Sequence, residues 1–175
     1  MLFKRRDLIS NDCRRHLYHA LVNSHVQYGI ELYGNATNSA LQPLNSAMNK
    51  VLRTLQNGSR YCSVKQLYVN YDVLPVNLLF KLNMAKMVFK SLNFSENLPT
   101  SMATKDIFCG NNISHSYNTR LSCTNYLSPE PSTAFFKSLA FLNVTEWNKI
   151  PISIRTATSL HSFINSYKQH LYDTW

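Results

Sequence analysis

The stretch LVNSHVQYGIELYGN, residues 21–35, constrains the fold more than any other, because as a helix it is apolar on two sides. Leu17, Ala20, Leu21, Ser24 and Tyr28 form one mostly apolar row. Tyr18, Val22, Val26, Ile30 and Tyr33 form a second, and His16, His19, Asn23 and Gln27 make a narrow polar strip between them. A surface helix of a small domain has one apolar face, whereas a helix apolar nearly all round is buried between neighbours. Two arrangements satisfy this pattern. Either residues 36–175 cover both rows, or one row packs against a domain outside this chain.

The remaining periodicity is also helical. A cap at Ser10, Asn11 or Asp12 opens the first helix. Leu41, Leu44, Met48, Val51, Leu52 and Leu55 follow the i, i+3, i+4, i+7 template, with Asn57-Gly58 as the stop and Pro43 expected in the first turn. Ser63 and Gln66 have capping-box spacing for a short helix through Val69. A fourth helix is expected from about Val76 to Leu92, with Leu78, Leu79, Leu82, Ala85, Phe89 and Leu92 on its core face. From Asn93 to Pro131 the chain turns rich in Ser, Asn, Thr and Pro and loses any period, as a loop with room for a short hairpin does. The segment FFKSLAFLNVTEWNKIP suits a helix through Phe135, Leu139 and Leu142, although LAFLNV also fits a strand. A last helix, capped by Thr158 or Ser159, places Leu160, Phe163, Ile164, Tyr167 and Leu171 on one face. The reading is a mainly α chain in three parts: residues 1–93, a loop-rich connector over 94–131, and a helical extension over 132–175.

Composition narrows the function. The chain of 175 residues carries 18 Lys and Arg against 9 Asp and Glu, a net charge of +9, which fits a polyanionic partner as well as a merely basic surface. Four glycines disfavour Gly-rich phosphate loops. Cys13, Cys62, Cys109 and Cys123 have neither C-x-x-C nor disulfide-framework spacing and read as reduced thiols of a nuclear or cytoplasmic protein. The opening MLFKRRDLIS lacks the apolar run of a signal peptide, and no segment approaches a bilayer-spanning length, so no membrane partner is expected.

No catalytic constellation stands out, and no cofactor is implied. Cys13, His16 and His19 fan over part of a helical turn, but with no fourth ligand suitably spaced a polar strip is the better reading than a zinc site. Ser24 and His25 point about 100° apart on a helix and cannot form a nucleophile–base pair. The nine acids are scattered, with none adjacent and no helix carrying two at i, i+4, which argues against two-metal phosphoryl transfer. The basic residues carry the functional signal. Arg14, Arg15, Lys50, Arg53, Arg60 and Lys65 lie on or beside the first three helices, as candidates for phosphate contact. Tyr61 and Tyr68 interleave with them as candidates for stacking.

Three segments in order resemble the region downstream of the palm in reverse transcriptases of non-LTR (LINE, jockey-like) retrotransposons. LYHALVNSHVQYGIELYGNA is similar to the family's aromatic-rich thumb helix: Leu17-Tyr18, Tyr28-Gly29 and Tyr33-Gly34 fill its places, with Tyr33 where Trp is usual. LQPLNSAMNKVLRTLQN is similar to the helix that follows, with Lys50 at a commonly basic place. HSYNTR, then EWNKIPISIRTATSLHSFINSYKQHL, resembles the terminal pattern of a Tyr-Asn-Thr-Arg turn, a Trp-Asn-x-Leu/Ile-Pro segment and a Ser-Leu-x-x-Phe helix. The resemblance implies a thumb-like bundle that grips RNA–DNA or DNA duplex through Lys50, Arg53 and their neighbours. It also implies a palm outside this chain against the first helix, and no catalysis by this part alone. The alternative class is a small helical protein–protein module, dimeric through the apolar flank of the first helix. Trp147 is expected as a buried anchor ended by Pro151.

Overall fold

The protein, described from a computed structural model over residues 9–56, 63–94 and 139–175, is mainly helical, and no strand occurs among the described residues. The connector expected to hold a loop or short hairpin, and Arg60, Tyr61 and Phe135, lie outside them. The helices are α1 (Asn11–Tyr18), α2 (Ser24–Gln27), α3 (Ile30–Tyr33), α4 (Asn38–Gln56), α5 (Val64–Asn70), α6 (Val76–Asn93), α7 (Leu139–Lys149), α8 (Ile152–Arg155) and α9 (Leu160–Asp173). The chain divides into two compact units, Met1–Phe80 and Lys81–Trp175, with the division falling inside α6.

The first segment is not one straight helix. Ser10 caps α1 by accepting from the Cys13 N–H at 3.3 Å. A π-helical turn, His19–Asn23, joins α1 to α2, and the Ser24 N–H closes the wider ring on the His19 carbonyl. The wider turn advances the chain less per residue, so the phase shifts: Asn23 turns inward and is 9% exposed, whereas Val22 is left half-buried. Gly29, at φ +66°, then breaks α2 from α3, in a conformation a side chain adopts only with strain. The Tyr33 hydroxyl donates back to the Val26 carbonyl and fastens α3 across the break.

The outcome separates the two apolar rows. Tyr18, Val26 and Ile30 are in the core of the first unit, at 0%, 5% and 0% exposure. Of the other row, Leu21 is 54% exposed and Tyr28 87%, and Leu32 of α3 is 86% exposed. The first unit's core is completed by Leu41, Met48, Leu52 and Leu55 of α4, by Leu67 and Tyr68 of α5, and by Leu74, Val76, Leu79 and Phe80.

Two start signals resolve differently from the sequence expectation. The α4 helix begins at Asn38, so Pro43 sits in its second turn and not its first. Ser63 stands at the N-cap of α5 but its hydroxyl makes no capping bond. At the other end α5 stops in a Schellman turn, with the Val73 N–H on the Tyr68 carbonyl and the Asp72 N–H on the Val69 carbonyl. Asp72 occupies the left-handed position, φ 53°, that glycine usually fills.

The α6 helix is buried along much of its length, with Asn77, Lys90 and Asn93 left exposed. Val76, Leu78, Leu79 and Phe80 are buried in the first unit, and Leu82, Met84, Ala85, Val88 and Phe89 in the second. In the second unit the Phe89 ring stacks on Phe163 at 4.5 Å, and Phe163 also meets Trp147 at 5.7 Å and Tyr167 at 5.9 Å. The ambiguous LAFLNV segment is helix, within α7. Ser159 caps α9, accepting from the Ser162 N–H at 3.1 Å. Phe163, Tyr167 and Leu171 face inward as their spacing predicts.

Gly34 marks the tightest approach in the first unit. A Cβ there would stand 2.5 Å from the Phe80 ring and 2.6 Å from the Ile30 carbonyl oxygen. Gly34→Ala is expected to cost about 1–3 kcal/mol through overpacking. Gly29→Ala, with open space around its Cβ, is expected to cost about 1–2 kcal/mol through backbone strain alone. Urea unfolding of both variants, with Gly34→Ala no less stable than the parent, would refute the close packing.

Candidate functional site

The six basic residues singled out in the sequence have different fates. Arg14 is half-buried: its Nε donates to the Ile9 carbonyl at 2.9 Å and one terminal nitrogen donates to the Leu55 carbonyl at 3.0 Å. The second bond reaches a carbonyl in the last turn of α4, a group with no partner inside its own helix and the negative end of the helix dipole. Arg14 therefore ties α1 to the end of α4. Arg15, one residue on, lies 3.6 Å from the Asp72 carboxylate in a half-exposed ion pair. Such pairs contribute little to stability.

Lys50 and Arg53 are exposed on α4, and Lys65 is exposed on α5. The i, i+3 spacing of Lys50 and Arg53 puts them on one helix face, about 5–6 Å apart at Cβ. Beside them on α4 runs an amide row, Asn45, Asn49 and Gln56, to which the sequence alone gave no role. The side-chain oxygens of all three are shielded from solvent without a partner. Their i, i+4, i+11 spacing was the available signal. Arg60 lies outside the described residues, so the structure bears on five of the six.

Tyr68 corrects an expectation. It is 1% exposed, packed in the core of the first unit, and cannot offer its face to a base. Burial pushes its phenol up to about 12. Tyr18, wholly buried, is pushed up by the same cause and, secondarily, by the neighbouring Tyr68.

The polar strip of the first segment is a structural network and not a metal site. His19 Nε2 lies 3.1 Å from the Tyr71 carbonyl, which can only accept, so Nε2 carries the proton. Nδ1 is then the acceptor for the Asn23 amide at 3.2 Å. Cys13 and His16 are exposed, and among the described residues no three His, Cys, Asp or Glu side chains are grouped to hold a metal ion. Ser24 Oγ lies 2.6 Å from the Ala20 carbonyl, to which it donates, and 3.4 Å from His25 Nδ1. Its proton goes to the backbone, as expected of a helical serine.

In the second unit the Trp147-Asn148 segment acquires a physical role. Trp147 is 3% exposed and Ile150 1%. Pro151 caps the short α8, and from its last residue Arg155 donates Nε to the Ile150 carbonyl at 2.7 Å, with a longer contact of 3.4 Å to the Asn148 carbonyl. The corner after α7 is thus held by a buried indole and by a guanidinium on its carbonyls. Glu146 lies between Lys81, at 3.5 Å, and Lys149.

No helix among the described residues is long and apolar enough to cross a membrane. No family model matches the chain, and neither a curated protein nor a solved structure matches it.

Two measurements test this division of labour. Arg14→Met is expected to lower stability by about 1–3 kcal/mol, because two carbonyls lose charge-assisted bonds, while Arg53→Met on the exposed face shifts it by less than about 0.5 kcal/mol. Equal effects in urea melts would contradict the assignment. Tyr18 Oη is buried with no partner, so Tyr18→Phe is expected to leave neutral-pH stability unchanged or raise it by up to about 1 kcal/mol. A raised folded-state pKa contributes stability that is complete below the ordinary tyrosine value near 10. That stability is lost as pH climbs above it, so Tyr18→Phe should also soften alkaline unfolding, followed by circular dichroism against pH.

Proposed function

We propose that this chain is a thumb-like part of a non-LTR retrotransposon reverse transcriptase, holding RNA–DNA or DNA duplex without catalysing polymerisation itself. The observation that carries the reading is the split of the first segment. A buried row, Tyr18, Val26 and Ile30, roots it in its own unit, while Leu21, Tyr28 and Leu32 stay exposed, as a surface made to pack on a palm outside this chain would be. The three-segment resemblance points the same way, and it gives Tyr28-Gly29 and Tyr33-Gly34 a physical rationale, one glycine for a left-handed break and the other for close packing. Lys50 and Arg53 on α4 and Lys65 on α5 are exposed and are the candidates for phosphate contact.

Binding of a labelled RNA–DNA hybrid is expected to weaken with added salt, at about one unit of log–log slope per phosphate contact. The double variant Lys50→Glu/Arg53→Glu should lower that slope by about two. An affinity indifferent to salt would refute the duplex reading. It would favour the second reading the exposed row supports, a helical protein–protein module that self-associates through Leu21, Tyr28 and Leu32. In that case Tyr28→Glu would lower the sedimenting mass without touching nucleic acid.

A further inference from the structure

A cleft of about 390 Å³ opens in the first unit between the start of α1, the end of α4 and the turn after α5, lined by Asn11, Asp12, Arg15, Gln56, Asn70 and Tyr71. Its size is that of a small-ligand site. Its chemistry differs from that of the cationic face of α4. One carboxylate, Asp12, offsets one guanidinium, Arg15, and Asp72 stands next to Arg15, so a phosphate gains nothing there.

What remains is hydrogen-bonding capacity of both signs. Arg15 is 3.6 Å from Asp72, too long for a hydrogen bond, so its fork of donors is unspent. Asn11, Asp12 and Asn70 are exposed, and the Gln56 side-chain oxygen is shielded from water with no donor. Asp12 and Arg15, at i, i+3 on α1, stand on one side of that helix about 5–6 Å apart at Cβ. A carboxylate accepts from two adjacent N–H groups, and a guanidinium donates to two adjacent acceptors. Among nucleobases only guanine presents both edges, with N1–H and the 2-amino group on one and O6 and N7 on the other.

We propose that this cleft binds an unstacked guanine base, with the Asp12 carboxylate accepting from N1–H and the 2-amino group and the Arg15 guanidinium donating to O6 and N7. The proposal rests on the nucleic-acid reading above and deepens it. The α4 face holds phosphates, while the cleft reads one splayed base, as single-stranded ends and loops are commonly read.

The test is an NMR titration of the full chain with GMP, inosine monophosphate and AMP. GMP should shift backbone amides of residues 11–15 and 70–72. Inosine monophosphate, lacking the 2-amino group, should bind about tenfold more weakly, the loss of part of one bidentate contact. AMP should leave those signals in place. Asp12→Asn, on an exposed side chain, should abolish the difference between GMP and inosine monophosphate. AMP shifting the same signals as strongly as GMP, or GMP shifting none up to its solubility limit, overturns the proposal, as does a GMP preference that survives in Asp12→Asn. The hybrid titration is read separately. Salt-dependent hybrid binding that persists in Asp12→Asn means a failed cleft leaves the duplex reading standing. GMP shifts in a chain that ignores the hybrid mean the reverse.

Discussion

The phase of the first helical segment is set by five residues, His19–Asn23, wound as a π turn, and which apolar row of that segment is left outside depends on that phase. A continuous α-helix would carry Val22 toward the core beside Tyr18 and leave Asn23 in the polar strip. The wider turn sends Asn23 inward instead. It is held by a chain of two hydrogen bonds, from Asn23 to His19 and from His19 to the Tyr71 carbonyl, which lies after α5, far along the sequence. A local irregularity is thus fixed by a distant carbonyl, and the face left outside, Leu21 and Tyr28, follows from it.

The two units use guanidinium groups in the same way. Arg14 takes the Leu55 carbonyl at the end of α4, and Arg155 takes the Ile150 carbonyl just past the end of α7. Helix C-termini leave carbonyls without partners, and a planar, always-charged donor satisfies them while countering the dipole. Part of the chain's positive charge is therefore structural. Net charge counts every basic residue alike, so it overstates the cations open to a nucleic acid. Lys50, Arg53 and Lys65 remain on the exposed sides of α4 and α5.

Much of the architecture was legible in the sequence. The apolar spacing of Leu41, Met48, Leu52 and Leu55 and that of Phe163, Tyr167 and Leu171 anticipated which side chains are buried, because amphipathic spacing is a local property. The burial of Asn83 and Ser91 on α6 was not legible, since polar residues read as the solvent side of a helix. Tyr68 was misjudged for a related reason. A tyrosine three residues after Lys65 reads equally as a stacking platform or a core residue, and only packing chooses. The cleft lined by Asp12, Arg15, Gln56 and Asn70 left no trace in spacing, because its walls come from three helices.

The sequence by itself determined the helical class and narrowed the caps to Ser10, Asn11 or Asp12 and to Thr158 or Ser159, because these follow from hydrogen-bonding preferences within a few residues; the break at Gly29 was not read from it. Tertiary structure alone decided which apolar row was enclosed, which arginine became a clamp and which stayed at the cleft, and why Gly34 must lack a side chain. Each of those outcomes turns on a partner remote in sequence: Tyr71 for His19, Leu55 for Arg14, Asp72 for Arg15 and Phe80 for Gly34. No periodicity encodes such partners, because they are fixed only when the helices pack.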